Sequence, residues 1–225
     1  MNSLRRTIAA LTITIGGVGA PALLLATPSS AALATTSPTS TVRSDTGALL
    51  SFTATGGTPI ATTAYDALLA LRSGDTARYA LRLDDLAKLV DDKTGIDASQ
   101  FVSQWAVTDT TRMTAMLAAL TQVGSGYRYN SQLPGVSFDC SGLTSWAWAQ
   151  AGVSIPHQSR AIINTIAKDT FDGASPGDVF YYPGHVMVSL GVSDAYVHAA
   201  DPHRGVEVTT LNGRRKSVRV GDPIG

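Results

Sequence analysis

The apolar positions of this chain change their spacing twice. Residues 7–26, "TIAALTITIGGVGAPALLLA", form an apolar block behind the basic start "MNSLRR", and the small residues of "SSAALA" follow. That order predicts a signal peptide over 1–34, cleaved after Ala31 or Ala34. Gly16, Gly17, Gly19 and Pro21 interrupt the block, which disfavours a permanent span of about 20 apolar residues, so no membrane span is expected after signal removal. Residues 35–60 are rich in Thr and Ser with few large apolar side chains, and are predicted to be a linker because they cannot offset the entropy of ordering.

A helical period follows. Tyr79, Leu83, Leu86 and Val90 recur on one helix face, with Asp75 placed as its cap and Gly95 as its stop. A helix in "AYDALLALR" precedes it, and a short one in "DASQFVSQW" follows, with Asp97 and Gln100 spaced as a capping box. Together they predict a helical unit over 61–106 that packs against the next domain, a cover over that domain's cleft being the alternative. Residues 107–225 predict a compact α+β domain. It begins with a helix in "DTTRMTAMLAALTQVG", a loop through Tyr129 and Pro134, a helix from Cys140 to Ala151 stopped by Gly152, and a helical stretch in "SRAIINTIAKD". The period then becomes two: "DVFYY", "HVMVSLG", "AYVHAA", "GVEVTT" and "KSVRV" read as short strands. Helices first and strands afterwards predict an antiparallel sheet covered by helices on one side.

Charge narrows the partners. The chain has 17 basic and 17 acidic residues, and removing Arg5 and Arg6 with the signal leaves 15 against 17. This near balance gives no electrostatic case for nucleic acid or an anionic membrane, and "GRRK" at 213–216 is predicted to be a solvated turn.

The candidate chemistry rests on one cysteine and four histidines. Cys140 follows Asp139 at the start of a predicted helix, where free N–H groups and the positive dipole end favour a thiolate and can lower a thiol pKa from about 8.5 toward neutrality. A small buried hydrophobe is the commoner fate of a free cysteine, but a lone thiol on an exported chain is an oxidation liability, which points to reactivity. Among the histidines, strand pairing ranks His185 and His198 first. A hairpin turning at Val192 and Ser193 puts Gly191 opposite Asp194 and His198 opposite Met187. His185 and His198 then share one face as diagonal neighbours, about 7–8 Å apart between backbones, while a one-residue slip would separate them. His157 and His203 sit among loop and turn residues and are predicted at the surface. Zinc bound by Cys140, His185 and His198 is the alternative, but no close ligand spacing supports it. No metal or cofactor is expected.

The blocks "GYRYNSQLPGVSFDCSGLTSWAW", "AGVSIPHQS", "ASPGDVFYYPGHVMVSLG" and "AYVHAA" resemble, in order and spacing, the NlpC-type cysteine peptidases, peptidoglycan endopeptidases with a trimmed papain-like fold. The resemblance implies that Cys140 is the nucleophile, His185 the base and later the acid, and His198 the residue that orients His185. It places Tyr129 on the oxyanion side, and Asp139 and Ser141 where some members hold the free amine of a stem peptide. It also implies cutting of peptidoglycan stem peptides between a gamma-linked D-glutamyl residue and a diamino acid through a thioester; with the expected signal peptide, the chain is predicted to be secreted or wall-associated, and a monomer is expected. Met187 and His157 depart from the family's usual Gly and Arg, and Met187 is expected to narrow the cleft or alter the accepted peptide. A thiol acyltransferase and a non-catalytic wall-binding protein remain open.

Overall fold

A computed structural model describes residues 52–225. The expected signal and the first part of the expected linker lie outside the described residues. Helix boundaries follow their local capping chemistry. α1 (Pro59–Ser73) begins upstream of "AYDALLALR", because Thr58 accepts the Ala61 N–H and Pro59 supplies a ready-made first turn. α2 (Thr76–Thr94) is capped by Asp75 and closed by Gly95 in the left-handed conformation, as expected. α3 (Ala98–Ala106) starts at Asp97, whose carboxylate accepts the Ser99 N–H. α4 (Thr110–Leu120) starts at Asp109 in the same way.

The segment expected to be a loop after α4 holds a small sheet of β1 (Gly126–Tyr127), β2 (Gln132–Leu133) and β3 (Ser137–Phe138), ordered β1-β3-β2. α5 (Cys140–Gln150) follows at once. The expected third helix is shorter than its apolar pattern: α6 (Ser159–Thr165) ends and β4 (Ala167–Asp169) pairs with the last strand. The main sheet contains β4, β5 (Pro176–Tyr182), β6 (His185–Leu190), β7 (Ala195–Ala199), β8 (Val206–Thr210) and β9 (Arg219–Asp222), in the order β4-β9-β5-β6-β7-β8. Its neighbouring strands are antiparallel. Among the described residues the fold is thus α+β, with six α-helices, an antiparallel main sheet and a small mixed one.

The β6–β7 hairpin has the expected register: Val188 pairs with Val197 and Ser189 with Tyr196. Both faces of β6 are buried. Val188 and Leu190 join the core under α4 and α5, whereas Met187 packs with Phe180, Tyr196, Leu211 and Val220 on the other face. Met187 is fully buried there, so it is a packing residue and does not line the cleft. Helices cover one face; turns and the short 3-10 helix Arg214–Ser217 bring Leu211 and Val218 to the other.

Residues 59–106 share a single hydrophobic core with α4, α5 and the sheet. Phe52 lies edge-on to both Tyr65 and Trp146, and the Trp105 indole donates to the Leu190 carbonyl over 2.8 Å. Leu190 is at the end of β6 farthest from His185, about 17 Å away at strand rise. A buried charge cluster ties α4 to the sheet, since Arg112 reaches Asp178 on β5 at 2.5 Å and Asp222 on β9. Removing one partner of such a cluster strands the others without compensation.

Trp105→Ala should therefore destabilise the whole domain by about 3–5 kcal/mol, from the lost ring and the orphaned Leu190 carbonyl. A chain starting at Thr108 should lose cooperative unfolding. Urea denaturation followed by circular dichroism checks both; an unchanged midpoint for Trp105→Ala would show that α3 is not part of the core.

Candidate active site

Asp139 is the N-cap of α5 and Cys140 its first helical residue. The Cys140 sulfur lies 4.0 Å from the Gly184 carbonyl, and the Val186 N–H donates to it. The main chain on both sides of His185 thus touches the nucleophile candidate. First-turn N–H groups have no helical acceptor, which makes those of Cys140 and Ser141 natural donors to a developing oxyanion. The local packing depends on Gly142, since a Cβ there would lie 2.2 Å from the Ser131 carbonyl and 2.9 Å from His157 Nε2.

The expected lowering of the thiol pKa is overturned. Burial pushes the Cys140 thiol up, and the adjacent Asp139 charge adds to this, while N–H donors from Val186, Ser141 and Cys140 itself only partly oppose it. In a site this dry, desolvation of the anion outweighs the helix terminus.

His185 and His198 are 8% and 5% exposed, and His185 Nε2 meets His198 Nδ1 at 2.7 Å. Burial, then His198 and Arg204, push His185 down to about 3; burial, then Arg204, pushes His198 down to about 4. Both rings are neutral at pH 7, and burial likewise favours the thiol form of Cys140. Tyr182 stacks on His185 at 5.0 Å between ring centroids, and His198 stands edge-on to both His185 and Tyr196. The relay continues outward, because His198 Nε2 lies 3.3 Å from Glu207 Oε1, an oxygen that also accepts from Arg204 at 2.8 Å.

On the other side of Cys140, Asp139 gathers donors. Its Oδ1 accepts from the Gly142 N–H at 2.6 Å and the Ser141 hydroxyl at 2.9 Å and meets His157 Nε2 at 3.1 Å; its Oδ2 accepts the Asn130 N–H at 2.6 Å. His157 is exposed in its loop, as expected, and it is also a partner of this carboxylate. His203 is exposed in its turn, as expected. Tyr129 is displaced from its expected place: its side chain is 84% exposed. Tyr127, in β1, is partly buried against the core, whereas Tyr129 lies in the turn beyond the strand; burial, followed by the Cys140 and Asp139 charges, pushes the Tyr127 phenol pKa up.

The model of the NlpC/P60 family matches residues 124–220, which include every residue of this cluster. Residues 124–220 belong to that family. The chain is 42% identical over 83 residues to "Probable endopeptidase" of Mycobacterium tuberculosis, covering 36% of this chain and 21% of that relative. It is 32% identical over 83 residues to "Bifunctional muramidase/DL-endopeptidase CwlT" of Bacillus subtilis, covering 35% and 25%. The solved P60 domain of a Mycobacterium avium subspecies paratuberculosis antigen matches with 25% identity and a TM-score of 0.45, over 51% of this chain and 96% of that one. The matched segment spans about a quarter or less of the two relatives' own lengths.

Within the NlpC/P60 domain, the sequence reading missed Tyr127, Tyr182 and Glu207. The alternation that placed His198 also puts Glu207 beside it, since the two are direct partners across β7 and β8; extending the strand pairing by one hairpin would have found it. Tyr127 could not be told from Tyr129 without the parallel β1–β3 pairing.

The neutral histidines have a consequence for stability. In the unfolded chain both titrate near pH 6.5, whereas folded they resist protonation down to about 4 and 3. Between pH 6.5 and 4 the unfolded chain binds more protons, so their contribution is fully present above 6.5 and is lost on acidification. His198→Asn should lose less stability than wild type between pH 7 and 4.5, read from urea midpoints. Parallel losses would show that these histidines are not held neutral.

Proposed function

We propose that this chain is a secreted cysteine endopeptidase that hydrolyses amide bonds in peptidoglycan stem peptides, between a gamma-linked D-glutamyl residue and a diamino acid. The observation that carries this reading is the use of His185 Nε2 to bond His198, which leaves Nδ1 as the ring nitrogen free to serve the thiol. The names of the relatives, endopeptidase and muramidase/DL-endopeptidase, support the substrate class.

Proton positions follow from the relay. The Glu207 carboxylate accepts, so His198 carries its proton on Nε2 and presents an Nδ1 lone pair. That lone pair accepts from His185 Nε2–H, and His185 Nδ1 is left as an acceptor. Cys140 Sγ attacks the amide carbonyl while its proton passes to His185 Nδ1, so a pre-formed thiolate is unnecessary. The oxyanion takes the Cys140 N–H, with the Tyr127 hydroxyl in the role expected of Tyr129. Collapse breaks the C–N bond, the amine leaves with the proton from His185, and water, giving a proton to His185, hydrolyses the thioester. Asp139 Oδ2, which accepts only from Asn130 among the described residues, keeps a lone pair for the free amine of the stem peptide, and Ser141 is held beside it.

The zinc alternative would require breaking the His185–His198 bond, because both nitrogens that face each other are engaged. EDTA should leave activity intact, and iodoacetamide should abolish it. A thiol acyltransferase would join the glutamyl fragment to an added amine, and a wall-binding protein would release no fragment.

Purified peptidoglycan incubated with the mature protein, with products read by mass spectrometry, tests the reading directly: fragments ending in the D-glutamyl carboxylate are expected, and a different bond or intact wall would refute it. Cys140→Ala and His185→Ala should lose about 10²-fold or more. Glu207→Gln should lower kcat about tenfold with little change in KM, because its amide can donate to His198 and let the relay invert to the unproductive tautomer. Loss in KM alone would place Glu207 in substrate binding.

A further inference from the structure

A cavity of about 570 Å³ opens on the outer side of His198, lined by residues between 182 and 218. Its walls include Tyr182, Tyr196, His198, Arg204, Asn212 and Arg214, and no aspartate or glutamate lines it. Arg204 is already neutralised by Asp201 and Glu207, each at 2.8 Å. Arg214 is different: among the described residues it has no acidic partner. Its neighbour Arg215 turns away to Ser193, Asp194 and the Phe171 ring. Asn212 uses its amide oxygen to accept the Thr210 hydroxyl, which leaves its NH2 group for the cavity. The cavity therefore offers an unpaired guanidinium, an amide donor and two phenol hydroxyls with no charge of its own to answer them.

Its position gives this surplus a use. Tyr182 belongs both to the cavity wall and to the stack on His185, so the cavity begins one ring away from the base that protonates the leaving amine. Asp139, Ser141 and Tyr127 lie on the Cys140 side and are absent from the cavity lining. The two regions on either side of the His185–His198 pair thus differ in charge, one holding a carboxylate and the other a guanidinium without a counter-ion among the described residues.

We propose that this cavity is the leaving-group subsite and that it takes a carboxylate borne by the departing amino acid, with Arg214 as its principal counter-charge and Asn212 and the tyrosine hydroxyls as hydrogen-bond donors. The assignment rests on the hydrolase reading above and deepens it: the enzyme selects a diamino acid whose carboxylate is free over one whose carboxylate is amidated. Arg pairs well with a carboxylate because its planar fork can donate two parallel hydrogen bonds.

Two synthetic gamma-D-glutamyl dipeptides test the subsite, identical except that the leaving diamino acid carries a free carboxylate or the corresponding carboxamide. Wild type should prefer the acid in kcat/KM. Arg214→Ala should reduce that preference about tenfold or more, through KM, and Arg214→Lys should restore part of it. Absence of any preference in wild type, or a preference that survives Arg214→Ala, would overturn the proposal. If neither peptide is cut, the hydrolase reading fails by itself. The subsite is then judged by binding: calorimetry with full-length Cys140→Ala should show the free diamino acid binding more tightly than its amide, and equal binding or the loss of both would refute it.

Discussion

The hydrogen bond between two buried imidazoles, His185 Nε2 to His198 Nδ1 at 2.7 Å, is the constraint on which the site depends. It exists only if β6 and β7 keep one register, because a slip of one residue would send one ring to the opposite face. That register is held at Val188–Val197 and Ser189–Tyr196 and closed by the turn after Gly191. It is buttressed from both faces: Val188 and Val197 pack under the helices, and Met187 and Tyr196 pack beneath the second face. The Trp105 indole fixes the far end of the same strand. Packing remote from Cys140 thereby decides how the two rings meet.

Burial supplies the geometry and also sets the chemistry. A dry site favours neutral forms, so it raises the thiol and depresses both histidines, opposing the ion pair that a helix start would otherwise encourage. In the proposed mechanism the proton moves during attack, which makes the direction of the relay decisive. Glu207, held by Arg204, stands at the outer end of that relay. Arg204 also borders the cavity proposed for the leaving group, which Arg214 lines as well.

Several of these features were legible in the chain itself because their signals are local. Asp75 and Gly95 bracket α2, and the Gly191–Asp194 turn was enough to place His198 beside His185. What escaped depends on partners distant in sequence. Tyr127 lies in β1 and Tyr129 in the turn after it, a boundary decided by pairing with β3. The tail of α6 has an apolar pattern that suits a helix, yet β9 captures it as β4. His157 is the exposed loop residue expected, but its approach to within 3.1 Å of Asp139 depends on how the loop folds back. The thiol pKa was misjudged for a related reason: the helix start is visible in the sequence, whereas the burial that outweighs it comes from Ile162, Val179 and Val186.

The most direct test is nitrogen NMR of the imidazole side chains, with His185 assigned by comparison with a His185→Gln variant. At pH 6 and with Cys140 intact, His185 should show a protonated Nε2 and a bare Nδ1, unchanged down to pH 5. An imidazolium at pH 6, or a proton on Nδ1, would contradict the neutral relay and the mechanism built on it.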